Sequence, residues 1–234
     1  RFAGDTLPRG RVGIVVALAD KLETLVGMFG IGQIPTGDRD PFALRRHALG
    51  VIRMLAENDL DLPLDKLLQT AAAPFAAVDG FKAAESALAD FIYDRLAGSL
   101  REQGYTAQEV DAVVSQRPQR LGDIPKRLAA VRTFAALPES ASLAAANKRV
   151  GNILKKVENP VEPTVDSALL KEAAEIALHD ALVEVVPQAD VAFVTGDYAE
   201  SLTALAALRT PVDAFFDGVM VNADDPALRA NRLG

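Results

Sequence analysis

The chain has 234 residues and 24.8 kDa, is 50% hydrophobic and 24% charged, and carries a net charge of −7. This composition suits one large core or two modest ones and excludes disorder and collagen-like repetition. The absence of cysteine excludes a disulfide framework and a thiolate metal site, and fits a reducing, cytoplasmic setting.

The first apolar run, Val12 to Ala19, ends at Asp20 and Lys21, well short of the roughly 20 residues that span a bilayer. No charged-then-apolar leader opens the chain, so a soluble protein without membrane contact is expected. Because it starts at Arg1 without Met, it is expected to be a piece of a longer protein.

Helical periodicity recurs from end to end, and strand alternation is nearly absent. A first helix is predicted over Val12 to Phe29, burying Val15, Leu18, Leu22, Leu25 and Phe29, and ending in the loop from Gly30 to Gly37. Asp40 as N-cap and Pro41 at the first helical position predict a second helix to about Asn58. A third follows Pro63 to about Ala73, and a long one spans Gly80 to Gln103, with Phe81, Leu88, Ile92, Leu96 and Leu100 inward and Gly104 as its stop. Thr106 and Glu109 form a capping box for a short helix over Ala107 to Ser115. Further helices are predicted over Ile124 to Leu137 and Pro138 to Val157, then a loop from Asn159 to Pro163. Beyond it come Ser167 to Val186, Gln188 to Val194, Tyr198 to Leu208, Pro211 to Val221 and a last helix opened by Asp225-Pro226. The fold class is therefore all-α, with at least 60% of residues helical expected from the extent of this periodicity.

Most candidate chemistry fails on context. The Gly30-x-Gly32 loop follows a helix and lacks the strand before it and the Lys-Ser/Thr after it that a phosphate cradle requires, so it reads as a connector. His47 and His179 have no partner at ligand spacing and read as surface or interhelical residues, so neither a catalytic group nor a metal site is expected. Asp20, in an apolar helix, reads as a buried carboxylate satisfied by Arg45 or Arg46.

Charge is unevenly spread. From Arg117 to Lys156 there are nine basic residues and two acidic ones, a balance of +7 that leaves −14 for the remainder. From Glu158 to Glu200 ten acids meet one base. Within the basic block, Lys148, Asn152 and Lys155 or Lys156 recur at three and four spacing and share a helix face, flanked by Arg149 and Lys156 and thinned at Gly151. Lysine and arginine suit phosphate contacts and asparagine suits a base edge; the competing reading of this charge run is a solvated helix face.

Several motifs carry a resemblance. The run Arg11-Val-Gly-Ile-Val-Val-Ala-Leu-Ala-Asp-Lys-Leu-Glu-Thr-Leu-Val-Gly27 with Phe29-Gly-Ile-Gly32, Pro35-Thr-Gly37 and Asp40-Pro-Phe-Ala-Leu-Arg-Arg46 closely resembles the β-subunit family of bacterial tetrameric glycyl-tRNA synthetases. The likeness continues through Ala145-Ala-Asn-Lys-Arg-Val150 with Asn152-Ile-Leu-Lys-Lys156, then Pro211-Val-Asp-Ala-Phe-Phe-Asp217, and Leu228-Arg229 with Asn231-Arg232-Leu233. These later motifs also resemble the helical anticodon-binding domain of arginyl-tRNA synthetases.

The resemblance implies the C-terminal portion of that subunit: the tail of an HD-like helical domain over residues 1–62, then a helical-bundle anticodon-binding domain over 63–234. It implies a share in ATP-dependent attachment of glycine to its tRNA, with ATP bound by a separate α subunit in an α2β2 assembly. Glycine-specific tRNA and the α subunit are thus the implied partners, and this chain alone is non-catalytic. Of an HD metal motif only the later Asp is matched, by Asp20. The basic face is then the expected tRNA site: Arg132, Asn147, Lys148, Arg149, Asn152, Lys155 and Lys156, with the asparagines on exposed base edges. The alternatives are a helical protein-interaction scaffold whose basic face meets an acidic protein, and an HD-type phosphohydrolase.

Overall fold

The computed structural model describes residues 6–157 and 161–234. Among them 68% are helical, in eleven α-helices and three short 3-10 turns, with no strand. The all-α expectation and its 60% floor both hold. Of the expected loop from Asn159 to Pro163, Asn159 and Pro160 lie outside the described residues.

The chain forms two compact units, residues 1–128 and 129–234. The first contains α1 (Arg11–Gly30), α2 (Leu44–Glu57), α3 (Leu64–Ala72), α4 (Glu85–Glu102) and α5 (Ala107–Val114). α1 packs on α2, α3 and α4, while α4 also packs on α2, α3 and α5. Leu18, Leu22, Leu25 and Phe29 of α1 meet a core with Leu44, Val51, Leu55, Leu68, Leu88, Ile92 and Leu96. Such apolar burial is the main stabilising contribution. The boundary expected between residues 62 and 63 falls inside this unit, because α3 and α4 pack directly on α1 and α2.

Local chemistry accounts for where these helices begin. Thr106 accepts from the Glu109 N–H at 3.2 Å while the Glu109 carboxylate accepts from the Thr106 N–H at 2.7 Å, which completes the expected capping box. Asp40 also caps, accepting from the N–H groups of Leu44 and Arg45 at 2.7 and 3.0 Å, but α2 starts at Leu44 rather than Pro41. The intervening Ala43 adopts a left-handed φ of 54°.

Three expectations in this unit are corrected. Val15 is 64% exposed, so α1 buries its stripe only from Leu18 onward. The helix expected from Gly80 starts at Glu85, because residues 81 and 82 lie across the end of α1. There the Phe81 ring sits so close that a Cβ on Gly30 would come within 2.0 Å of it, and the Lys82 N–H donates to the Gly30 carbonyl at 2.9 Å. Asp20 is exposed and needs no buried partner; Arg45 instead donates to the Gly37 carbonyl.

α6 (Ile124–Ala135) crosses the division between the units. The second unit then holds α7 (Ser140–Leu154), α8 (Ala173–Val194), α9 (Tyr198–Ala206), α10 (Arg209–Gly218) and α11 (Pro226–Leu233). α8 packs on α9 and α10, and α10 on α7. Two helices expected on either side of Pro187 are one: Pro187 and Val183 are both exposed, so water can satisfy the Val183 carbonyl that proline leaves unpaired. The expected start at Ser167 is only a short 3-10 turn over Ser167–Leu169.

A polar clasp holds α11 in place. The Arg232 side chain, 7% exposed, donates to Glu175, itself 1% exposed, and reaches Glu172 at 2.8 Å and the Met220 carbonyl at 2.8 Å. The other Glu175 oxygen accepts from the N–H groups of Lys171 and Glu172, each at 2.7 Å. Next door, Asn231 exchanges two bonds with the Asp166 backbone, at 2.7 and 3.2 Å. Burial pushes the Glu175 carboxyl up, but the Arg232 guanidinium and the two backbone N–H donors outweigh it and hold the group below the ordinary carboxylate value.

Removing one partner from this buried pair leaves an uncompensated charge. Arg232→Ala is therefore expected to destabilise residues 129–234 by about 3–5 kcal/mol in urea titration followed by circular dichroism, whereas Arg229→Ala, at an exposed site, is expected to stay within about 0.5 kcal/mol.

Two groups, one in each unit, contribute to stability in different pH windows. His47 is lowered from its ordinary value of 6.5, first by burial and then by the Lys21 charge. The unfolded chain thus binds its proton first, and this contribution to stability falls as pH drops below 6.5. Glu175 contributes fully above its ordinary value of 4.5 and loses that contribution as pH falls through its lower folded value. Acid titration should weaken the first unit before the second, with His47→Gln flattening the earlier slope.

Candidate nucleic-acid interface

The basic block is contiguous in sequence but divided between the two units. Arg117, Arg120 and Lys126 belong to the first unit, where acids outside the block meet them. Arg117 pairs with Asp90 and lies 4.8 Å from the Tyr93 ring centroid. Arg120 reaches Asp59 at 3.3 Å and Asp61 at 3.5 Å, and Lys126 reaches the same Asp59 at 3.3 Å. Much of the +7 balance is thus offset by carboxylates that the linear count leaves out.

The remaining cations gather on α7 and its C-terminal end. Lys148, Arg149, Lys155 and Lys156 are all exposed, as are Asn147 and Asn152. No residue of α7 is fully buried; Ser142, Leu143, Ala146 and Ile153 are half-buried and form the packed side. At about 100° per residue, Lys148, Asn152 and Lys155 fall on one stripe on the side opposite Ala146 and Ile153. The expected common face therefore exists. Asn147 lies about 100° from Lys148, on the flank shared with Val150 and Leu154. Arg132 is exposed on α6, one helix earlier.

Two directional contacts fix the rotation of α7. The Ser142 hydroxyl donates to the Asp213 carboxylate of α10 at 2.7 Å, and Arg209 stands 3.6 Å from the same carboxylate. Further along the helix, the Arg149 guanidinium carbon lies 4.3 Å from the centroid of the Phe216 ring, a cation–π contact. Phe216 in turn meets Phe215 edge-on at 5.4 Å. Sequence reading missed Ser142, Asp213 and Phe216 as parts of the site. The motif from Pro211 to Asp217 was visible, but two adjacent aromatics on a helix look like core.

The other candidates do not assemble a site. The Gly30 to Gly37 loop has a helix before it and closes in a turn in which Thr36 and Arg39 exchange backbone bonds at 3.2 and 2.8 Å, so its geometry is that of a helix-to-helix connector. His179 lies 3.5 Å from Asp180, its neighbour in α8. Among the described residues no group of three or more His, Asp or Glu side chains is placed to hold a metal ion, and no helix is long and apolar enough to cross a membrane.

Residues 1–115 match the family described as glycyl-tRNA synthetase beta subunit, and residues 143–234 match the DALR anticodon binding domain. The whole chain is 91% identical to a glycine–tRNA ligase beta subunit of Dechloromonas aromatica and 70% identical to that of Polaromonas naphthalenivorans. The corresponding subunit of Janthinobacterium is 69% identical. Each alignment covers 100% of this chain and 33% of the relative, so the chain spans about a third of the length of these curated relatives.

Gly151 gives this surface its most direct test of stability. A Cβ there would meet nothing within 4 Å, so packing inside the chain does not require glycine in the middle of α7. Gly151→Ala is expected to stabilise the second unit by about 0.5–1 kcal/mol in urea titration, the usual difference between the two residues inside a helix.

Proposed function

The chain belongs to the glycyl-tRNA synthetase β-subunit family, corresponding to its C-terminal third, and from that premise we propose that it binds the anticodon arm of glycine-specific tRNA through the exposed face of α7. The observation that carries this reading is the placement of Lys148 and Lys155 beside Asn152 on the unpacked stripe of α7 and its C-cap, with the exposed Lys156 next to them, in a segment nearly all within the anticodon-binding match. A chain of net charge −7 repels a polyanion on average, so productive contact concentrates where cations stand unmatched. Single-stranded loops expose their base edges, and Asn152 can both donate to and accept from such an edge.

In this reading the subunit serves glycine–tRNA ligase by holding tRNA, in the cytoplasm, while glycine activation with ATP takes place on a separate α subunit of an α2β2 enzyme. The Gly30 to Gly37 turn does not suit ATP: Arg45 occupies the Gly37 carbonyl and the loop continues into Asp38 and Asp40 rather than a lysine. Residues 1–62 are the tail of an HD-like domain, and Asp20 alone among that motif's ligands does not suffice for metal-dependent phosphate hydrolysis. The anticodon-binding part lies beyond residue 62, with its RNA-facing helix in the second unit.

The test is binding of transcribed glycine tRNA at several salt concentrations. Lys148→Ala, Lys155→Ala and Lys156→Ala together are expected to weaken binding for every sequence and to flatten the salt dependence by about 0.7–0.9 in logarithmic slope for each phosphate no longer neutralised. Asn152→Ala is expected to reduce discrimination between anticodons by about 1–3 kcal/mol while leaving the slope in place. Unchanged affinity and slope in the folded triple variant would overturn the assignment and leave α7 as a solvated face.

A further inference from the structure

We propose that Arg149, held over Phe216, is a stacking shelf for one unstacked base of the bound RNA loop, and that Asn152 reads the edge of that same base. This inference rests on the tRNA-binding reading and sharpens it to a single-nucleotide subsite.

The geometry separates Arg149 from the other cations of α7. Lys148, Lys155 and Lys156 are compact charges on flexible stems, suited to phosphates wherever these fall. Arg149 is exposed, yet its guanidinium carbon is fixed 4.3 Å from the Phe216 centroid. The ring itself is braced edge-on by Phe215 at 5.4 Å with a 72° tilt, and α10 is tied to α7 by the Ser142 to Asp213 bond. An exposed planar cation seated over an aromatic ring offers a preformed surface for a second planar π system. Loop bases of RNA stack on arginine planes in this way. Because the arginine is already ordered by the ring, less rotamer freedom is lost when the base arrives.

Asn152 stands three residues after Arg149, and side chains at that spacing have Cβ atoms about 5–6 Å apart on a helix surface. A base lying on the guanidinium therefore brings its edge within reach of the Asn152 amide, which can form paired bonds to an adenine-type edge or equivalent bonds to a Watson–Crick edge. Stacking holds any base; the amide selects among them. Phe216 is a positioning residue, since it acts through Arg149 rather than on the RNA.

The experiment uses the full chain and a synthetic anticodon stem-loop of glycine tRNA carrying 2-aminopurine at one loop position at a time, because stacking quenches the fluorescence of that base. The wild-type chain is expected to quench one position strongly. Arg149→Lys keeps the charge and is expected to retain the salt slope, abolish the quench and weaken binding roughly tenfold, as for loss of one base stack. Phe216→Leu is expected to lose the quench as well; should it fail to fold by circular dichroism, Arg149→Lys decides alone. Asn152→Ala is expected to keep the quench and lose base preference at that position. The shelf is overturned if the quench survives Arg149→Lys, or if the wild-type chain binds the stem-loop and quenches no position; in both cases lysine-dependent binding leaves the tRNA reading standing. Absence of any binding by the wild-type chain sinks both.

Discussion

In the second unit one buried ion pair anchors the terminal helix. The unit's buried apolar side chains are few and mostly small, Ala189, Ala192, Ala206 and Val219 among them, whereas the first unit buries leucines or isoleucines from each of α1 to α4. An eight-residue helix such as α11 is too short to persist without tertiary support. Arg232 supplies that support by joining α11 to Glu172 and Glu175 at the start of α8 and to the Met220 carbonyl beyond α10. The desolvation of both charges is offset because the strong donors and acceptors of the cluster are used together, including the two backbone N–H groups on Glu175. Directional bonds thus stand in for apolar area, and they set the positions of the ends of α8 and α10.

That economy of core explains the exposure of α7. A helix with no fully buried residue gains little from the hydrophobic term, and its orientation must come from specific contacts. Ser142 and Arg149 provide them, both to α10. Meanwhile the first unit neutralises its own cations: Asp59 alone meets Arg120 and Lys126. On the proposed reading, attraction for a polyanion is concentrated by subtraction as much as by accumulation. In that reading the lysines of α7 and its C-terminal end count because Arg117, Arg120 and Lys126 are already engaged.

The sequence carried the fold class, most helix positions and two caps, because these depend on local chemistry that a linear reading contains. Thr106 with Glu109, and Asp225 before Pro226, work as their spacing implies, Asp225 accepting from Ala227 and Leu228 at 2.8 and 3.4 Å. Failures came where a distant segment decides. Phe81 has helical spacing with Leu88 and Ile92, but it covers Gly30 instead, a contact between residues far apart in the chain. Asp20 looked buried because its neighbours are apolar, yet it sits on the exposed side of α1. Pro187 looked like a break because an exposed carbonyl is invisible in sequence. For the site, the face of Lys148, Asn152 and Lys155 was legible from spacing alone. The aromatic floor under Arg149 was not, since it comes from α10, three helices later.

The contacts of the second unit form a continuous chain from the clasp to the basic face of α7. Arg232 fixes the region after α10 through Met220, α10 packs on α8, and α10 carries both groups that orient α7, Asp213 and Phe216. A rotation of α7 by one residue would carry Lys148, Asn152 and Lys155 about 100° away from where they now point. The register of the basic stripe is therefore set by the Ser142 to Asp213 bond and the Arg149 to Phe216 contact, not by the lysines of the stripe. On the proposed reading, most of the residues that meet RNA lie on α7 and the residues that aim them lie on α10. The aiming helix leads into Met220, whose carbonyl accepts from the same guanidinium that holds the terminal helix.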